Sequence, residues 1–99
     1  MLPNRFSLTQ QTEEKLKRDK LRHGIPPNIL ARELFFKSIE QGVIVDPGKE
    51  ILFGKMMLEK TVWLGDLEKI TEAVIRHRYG KVQKHEAAKI WSLHIQAAL

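Results

Sequence analysis

The sequence has no cysteine. That removes a disulfide framework and any thiolate zinc site, and it fits a reducing cytoplasm. Aromatic residues are scarce, at 7% of 99 residues, yet 42% of the chain is hydrophobic, which is a globular and not a disordered composition. No stretch approaches the roughly 18 apolar residues that span a bilayer, so no membrane association is expected. The opening MLPNRFSLTQ lacks a basic segment followed by an apolar run, so it does not read as a signal peptide, and a cytoplasmic location is expected. Catalytic signatures are missing too. There is no G-x-S-x-G, no phosphate loop and no H-E-x-x-H. The four histidines, His23, His77, His85 and His94, show no i, i+4 pairing. No metal site, no cofactor and no enzymatic activity are expected.

What the chain does have is positive charge. Its formal net charge is +5, which favours a polyanionic partner. Two runs carry the excess. One holds Lys15, Lys17, Arg18, Lys20 and Arg22 against Asp19; the other holds Arg76, Arg78, Lys81, Lys84 and Lys89 against Glu86. Each run reads either as a solvated helix face or as a phosphate-contacting surface.

Residues 1–99 read as a single domain, mainly α. Asn4 to Thr9 alternates, with Phe6 and Leu8 on one side and Arg5 and Ser7 on the other, as in a short half-buried strand. Thr9 is suited to cap a helix over about residues 10–23, and Gly24 to end it. Pro27 then opens a second helix, from about Asn28 to Gln41, with Gly42 after it. Its apolar residues Ile29, Leu30, Ala31, Leu34, Phe35, Phe36 and Ile39 wrap too much of the circumference for a surface helix. Residues 43–65 admit two readings: a small hairpin about Asp46-Pro47-Gly48, or an ordered loop with a helical turn near Met56 to Glu59. Two further packed helices follow. One runs from a capping Asp66 to Tyr79, with Leu67, Ile70, Val74 and His77 inward. The other runs over about Gln83 to Ala98, burying Ala87, Ala88, Trp91, Ile95 and Ala98.

A strand, a helix, a glycine turn and a buried helix make a ribbon-helix-helix-like front half. One short strand makes no sheet alone, so pairing with the strand of a second copy is expected. Phe6, Leu8, Leu34, Phe35, Phe36 and Ile39 would then form the interface of a dimer or tetramer. The candidate DNA contacts are Arg5 on the ribbon and Lys15, Lys17, Arg18, Lys20 and Arg22 on the first helix. An antitoxin-like repressor that reads an operator with its paired strands is the alternative to sequence-independent binding.

The run LPNRFSLT (Leu2 to Thr9), the GIPPN of Gly24 to Asn28, Ala31-Arg32 and the FFKSIE of Phe35 to Glu40 resemble the DndE family of bacterial DNA sulfur-modification proteins. Gly48 to Ile51 and Thr61 to Asp66 are similar to the family's G-R-E-F and T-L-L-G-E stretches. Lys49 and Ile51 depart from the usual Arg and Phe, Trp63 and Asp66 also differ, and the segment Leu52 to Lys60 is longer than the pattern. The resemblance implies a helical homo-oligomer, a tetramer in the family, that binds double-stranded DNA containing a nick. It also implies other DNA sulfur-modification proteins as partners: a cysteine desulfurase, an ATP-sulfurylase-like protein and an SMC-like ATPase. Together these replace a non-bridging phosphate oxygen by sulfur.

Overall fold

The structure, a computed structural model, describes residues 2–99. Strand β1 (Arg5–Phe6) leads into helix α1 (Gln10–His23) and helix α2 (Pro27–Glu40). Strand β2 (Leu58–Glu59) runs directly into the short helix α3 (Lys60–Leu64). A single 3-10 turn (Gly65–Leu67) then joins α3 to α4 (Glu68–Tyr79), and α5 (Lys84–Ala97) closes the chain.

The first helix begins and ends for the reasons its sequence supplies. Thr9 is extended, and its hydroxyl oxygen accepts the Thr12 N–H at 3.2 Å. Gly24, at φ 71°, takes the left-handed position, and its N–H donates to the Lys20 carbonyl. In α2, Pro27 stands in the first turn, where a missing N–H costs nothing.

The strand finds its partner inside the chain. Arg5 pairs with Glu59 and Phe6 with Leu58, antiparallel, and Thr9 bridges Phe53. The expected pairing with a second copy is therefore corrected: the 52–60 segment folds back along the N-terminal one. Backbone bonds from Gln10 N to Leu52 O, Gly54 N to Leu8 O and Lys60 N to Asn4 O extend this seam. Neither a hairpin about Pro47 nor a helical turn at Met56 forms. Asp46 Oδ1 accepts the Gly48 N–H at 2.8 Å, but neither flanking segment forms a strand.

Helix α5 occupies the middle. Eight of its residues are buried: Ala87, Ala88, Ile90, Trp91, Ser92, Leu93, His94 and Ile95. Phe6 and Trp63 meet the Trp91 ring edge-on, at centroid distances of 5.0 Å and 6.5 Å. Helix α2 packs chiefly on α5, with Ala31 and Phe35 fully covered. This corrects part of the expected oligomer interface. Phe6, Leu8 and Phe35 are 5%, 1% and 0% exposed within one chain, because α5 does the covering that a second copy was expected to do. Leu34, Phe36 and Ile39 are partly buried against the same core.

Helix α4 starts two residues later than expected and shows a different face. Asp66 lies in the 3-10 turn and does not cap it, and Thr71 and Ile75 are the buried residues. Ile70 is half-exposed and His77 is exposed. A 3-10 turn advances about 120° per residue and an α-helix about 100°, so the turn shifts the phase of all that follows. Arg32 of α2 fixes that corner. Its Nε donates to Trp63 O and its terminal nitrogen to Val62 O, both at 2.7 Å, satisfying carbonyls at the end of α3.

A buried polar chain joins three helices. His94 Nδ1 lies 2.8 Å from Ser38 Oγ, and its Nε2 lies 2.7 Å from the Tyr79 hydroxyl, which also accepts the Val45 N–H. A neutral imidazole has one donor and one acceptor, so it serves both hydroxyls. Burial, and then the charge of Arg78, push the His94 pKa from 6.5 down to about 4. The sign follows from proton counting. Between those values the unfolded chain binds the extra proton, so the contribution is full above 6.5 and is lost as pH falls toward 4. Urea denaturation at pH 7 and pH 4 should show a loss of about 3 kcal/mol in the wild type that His94→Gln does not share. Phe35→Ala should cost about 3–5 kcal/mol in the same assay, and more than Phe36→Ala.

Candidate nucleic-acid interface

Helix α1 turns Thr12, Glu13 and Leu16 to the core. Lys17, Arg18, Lys20 and Arg22 are thereby left in solvent, and Lys15 is half-exposed. Two of these have carboxylate neighbours one turn away. Lys15 Nζ is 3.9 Å from Asp19, and Lys17 Nζ is 3.9 Å from Glu13. At 3.9 Å these i, i+4 pairs are loose, and the lysine ends remain open to a competing phosphate although Glu13 is buried. Arg18, Lys20 and Arg22 make no ion pair among the described residues. At helical spacing, Lys15, Arg18 and Arg22 form one stripe on the outer side of α1.

Glu13 has a second task, which keeps this helix in place. It is buried, and its Oε1 accepts the Met56 N–H at 2.8 Å. Gly54 passes so close that any side chain there would run into the same carboxylate. The 52–57 loop is thus held against α1 through backbone.

Arg5 is not part of the α1 stripe. It is exposed on the two-stranded ribbon, 4.0 Å from Glu59 directly across the sheet. That carboxylate offsets its charge and weakens the case for a base-reading strand. On its other side Arg5 borders a cleft of about 720 Å³, together with Lys84, His85 and Lys89 of α5. The second basic run therefore divides. Lys84 and Lys89 join Arg5 at the cleft, whereas Arg78 is turned to internal use, donating to Val43 O at 2.9 Å and Ile39 O at 3.3 Å. The gathering of Arg5 with Lys84 and Lys89 went unread in the sequence, because it depends on where α5 lies beside a strand some 80 positions earlier. Ser7, expected to face outward with Arg5, is half-buried, and its Oγ lies 3.5 Å from Met57 Sδ.

Among the described residues no group of three or more His, Asp or Glu side chains could hold a metal ion. Among the described residues no helix is long and apolar enough to cross a membrane.

Comparison with known proteins bears on this surface. The family model for DndE, the DNA sulphur modification protein, matches residues 5–98. The chain belongs to the DndE family. A crystal structure of DndE from Escherichia coli B7A, described as involved in DNA phosphorothioation modification, is 40% identical. The match covers 99% of this chain and 95% of that one, with a TM-score of 0.90. The crystal structure of a glycine-to-lysine variant of DndE, likewise described as involved in DNA phosphorothioation, is 37% identical over 99% and 95% of the chains, with a TM-score of 0.88. A search of curated proteins found no match. The family match spans both the α1 stripe and the α5 residues at the cleft.

The division of basic residues into free and spent ones has a measurable consequence. Arg78→Ala removes a guanidinium that satisfies two carbonyls and should lower stability by about 1.5–3 kcal/mol. Arg18→Ala should leave the melting temperature within error of the wild type, since that side chain touches nothing internal. Paired thermal melts of the two variants check this.

Proposed function

We propose that this chain is a non-catalytic, DNA-binding subunit of a cytoplasmic DNA phosphorothioation system. It holds duplex DNA mainly by phosphate contacts and prefers duplex that carries a nick. It works as a homo-oligomer beside the other proteins of the sulfur-modification machinery. The observation that carries this reading is the outer side of α1, where Arg18 and Arg22 are exposed and make no ion pair among the described residues, on a chain of the DndE family.

Phosphates suit such a surface. They recur along the duplex regardless of sequence, and Lys and Arg meet them without reading bases. Assembly of several copies would multiply the stripe and raise affinity by joint engagement. The leftover apolar surface gives such assembly something to cover: Leu21, Ile25 and Ile29 are 87%, 38% and 39% exposed. A nick favours binding because it is a flexible joint. An intact duplex resists bending, whereas a nicked one follows a curved basic surface at little elastic cost. The repressor reading has less support. It needs a ribbon made by two copies, and here β1 is paired with β2 of its own chain.

The test is a salt series on intact, nicked and gapped duplexes of unrelated sequence. Affinity should fall steeply with salt, with a log–log slope of about −0.9 per phosphate contact. Replacing Lys17 and Arg18 together by Ala should weaken binding about equally on every sequence and flatten that slope by about two per engaged subunit. Equal affinity for nicked and intact duplex would remove the nick preference. Tight binding to one sequence alone, abolished by Arg5→Ala, would replace this reading with the repressor.

A further inference from the structure

The cleft between β1 and the start of α5 has a composition that the α1 stripe lacks. Its floor is apolar and aromatic, with Phe6 buried and Phe53 45% exposed. Its rim is cationic, from Arg5, Lys84 and Lys89, with His85 beside them. No Asp or Glu lines it, although Glu59 lies across from Arg5 and Glu50 borders a neighbouring hollow beside Lys89. At about 720 Å³ it falls within the range of small-ligand clefts, roughly 300–1,000 Å³. An exposed aromatic face beside three flexible cations is more than solubility requires.

The geometry points to a nucleotide site: an unpaired DNA base stacks on Phe53, and its phosphate lies against Lys84 and Lys89. The choice of a nucleotide rests on the DNA-binding reading above, but the cleft itself does not. Every base has a π-face, and stacking on an aromatic side chain is tolerant of sequence, while the cationic rim supplies the phosphate partner. An extended peptide fits less well. Strand addition needs free backbone groups along β1, and these are already engaged: Ser92 Oγ donates to Ser7 O at 2.8 Å, Lys60 N to Asn4 O and Gly54 N to Leu8 O. The cleft thus offers side chains to a ligand, with little backbone left to offer.

At a nick, two strand ends lie free of covalent continuity, and an end nucleotide unstacks more easily than an internal one. In this arrangement the α1 stripe grips the duplex by its phosphates, and the cleft takes the frayed nucleotide. Phe53 then adds to the preference for interrupted DNA that bending at the nick already gives.

The experiment is an NMR titration of the full chain with dAMP, deoxyadenosine and deoxyribose 5-phosphate at low salt, alongside binding of intact and nicked duplex. The expected result is that dAMP shifts the amide signals of Phe53, His85 and Ala88, and binds more tightly than either fragment. Phe53→Leu, which keeps apolar bulk and loses the π-face, should weaken dAMP roughly tenfold or more. Phe53→Trp should restore it, and neither variant should change affinity for intact duplex. Lys84→Glu with Lys89→Glu should abolish the dAMP shifts. The inference is overturned if deoxyribose 5-phosphate binds as well as dAMP, if Phe53→Leu has no effect, or if an acidic peptide shifts these signals and dAMP does not. Duplex binding without any dAMP binding would sink the cleft and leave the proposed function standing. Binding of dAMP in the cleft by a chain that ignores duplex would do the reverse.

Discussion

The burial of α5 is the constraint on which the rest of the structure depends. A helix that hides eight consecutive-turn residues, two of them polar, has to be enclosed from all sides by a chain of only 99 residues. The enclosure is made by α2 along one side, by α1 and α4 on others, and by the N-terminal strand across Trp91. Apolar contact supplies most of the stabilisation, since each large side chain removed from water contributes about 1.5–3 kcal/mol. The polar residues decide the register. Ser92 bonds to the Ser7 carbonyl, and His94 joins Ser38 to Tyr79, so α5 has one rotation and one depth at which its buried hydroxyl and imidazole are satisfied. Trp91 Nε1 is the exception, a buried donor with no acceptor among the described residues.

That enclosure also sets the functional surface. Because the N-terminal segment is spent on covering Trp91 and pairing with β2, it is not free to build a ribbon with another copy. Because Glu13 ties the 52–57 loop to α1, the helix is held with Leu16 inward and its cations outward. Lys60 pins the other end of the seam. Its Nζ lies 3.2 Å from Glu68 and donates to the Leu2 carbonyl, while the Leu2 N–H donates to Glu72. Burial alone would raise the Glu72 carboxyl, but the Leu2 N–H, then the N-terminal charge and last Lys60 together outweigh it and hold its pKa below the usual range. The basic residues therefore fall into two kinds. Arg32, Lys60 and Arg78 hold backbone carbonyls inside the fold, and Arg18, Lys20 and Arg22 make no ion pair among the described residues.

How much of this was legible depended on how local the signal was. Helix α1 was read to the residue because its stop and start lie within it: Thr9 and Gly24 act on neighbours three or four positions away. Helices α2 and α5 were read to within a residue at each end, for the same reason and because their apolar content is dense. The 43–59 region was not legible. Its structure is a two-residue strand whose partner is over 50 positions away, and neither residue count nor alternation marks it. The face of α4 was misjudged because apolar counting favours Ile70, while the structure buries Thr71 and leaves Ile70 half-exposed. The α1 cations lie on a surface helix, as the paucity of apolar residues there implies, but their spacing spreads them around it and only Lys15, Arg18 and Arg22 share a side. The union of Arg5 with Lys84 and Lys89 was not, since a charge run along one helix says nothing of what strand it will meet.

On the proposed reading the exposed cations of α1 carry the DNA. Lysine acetylation of the full chain, read residue by residue by mass spectrometry with and without a saturating nicked duplex, is the deciding measurement. Lys17 and Lys20 should lose reactivity when the duplex is bound, while Lys60, already enclosed by Glu68 and Glu72, should be slow to react in both states. Unchanged reactivity of Lys17 and Lys20 on fully bound protein would contradict that reading.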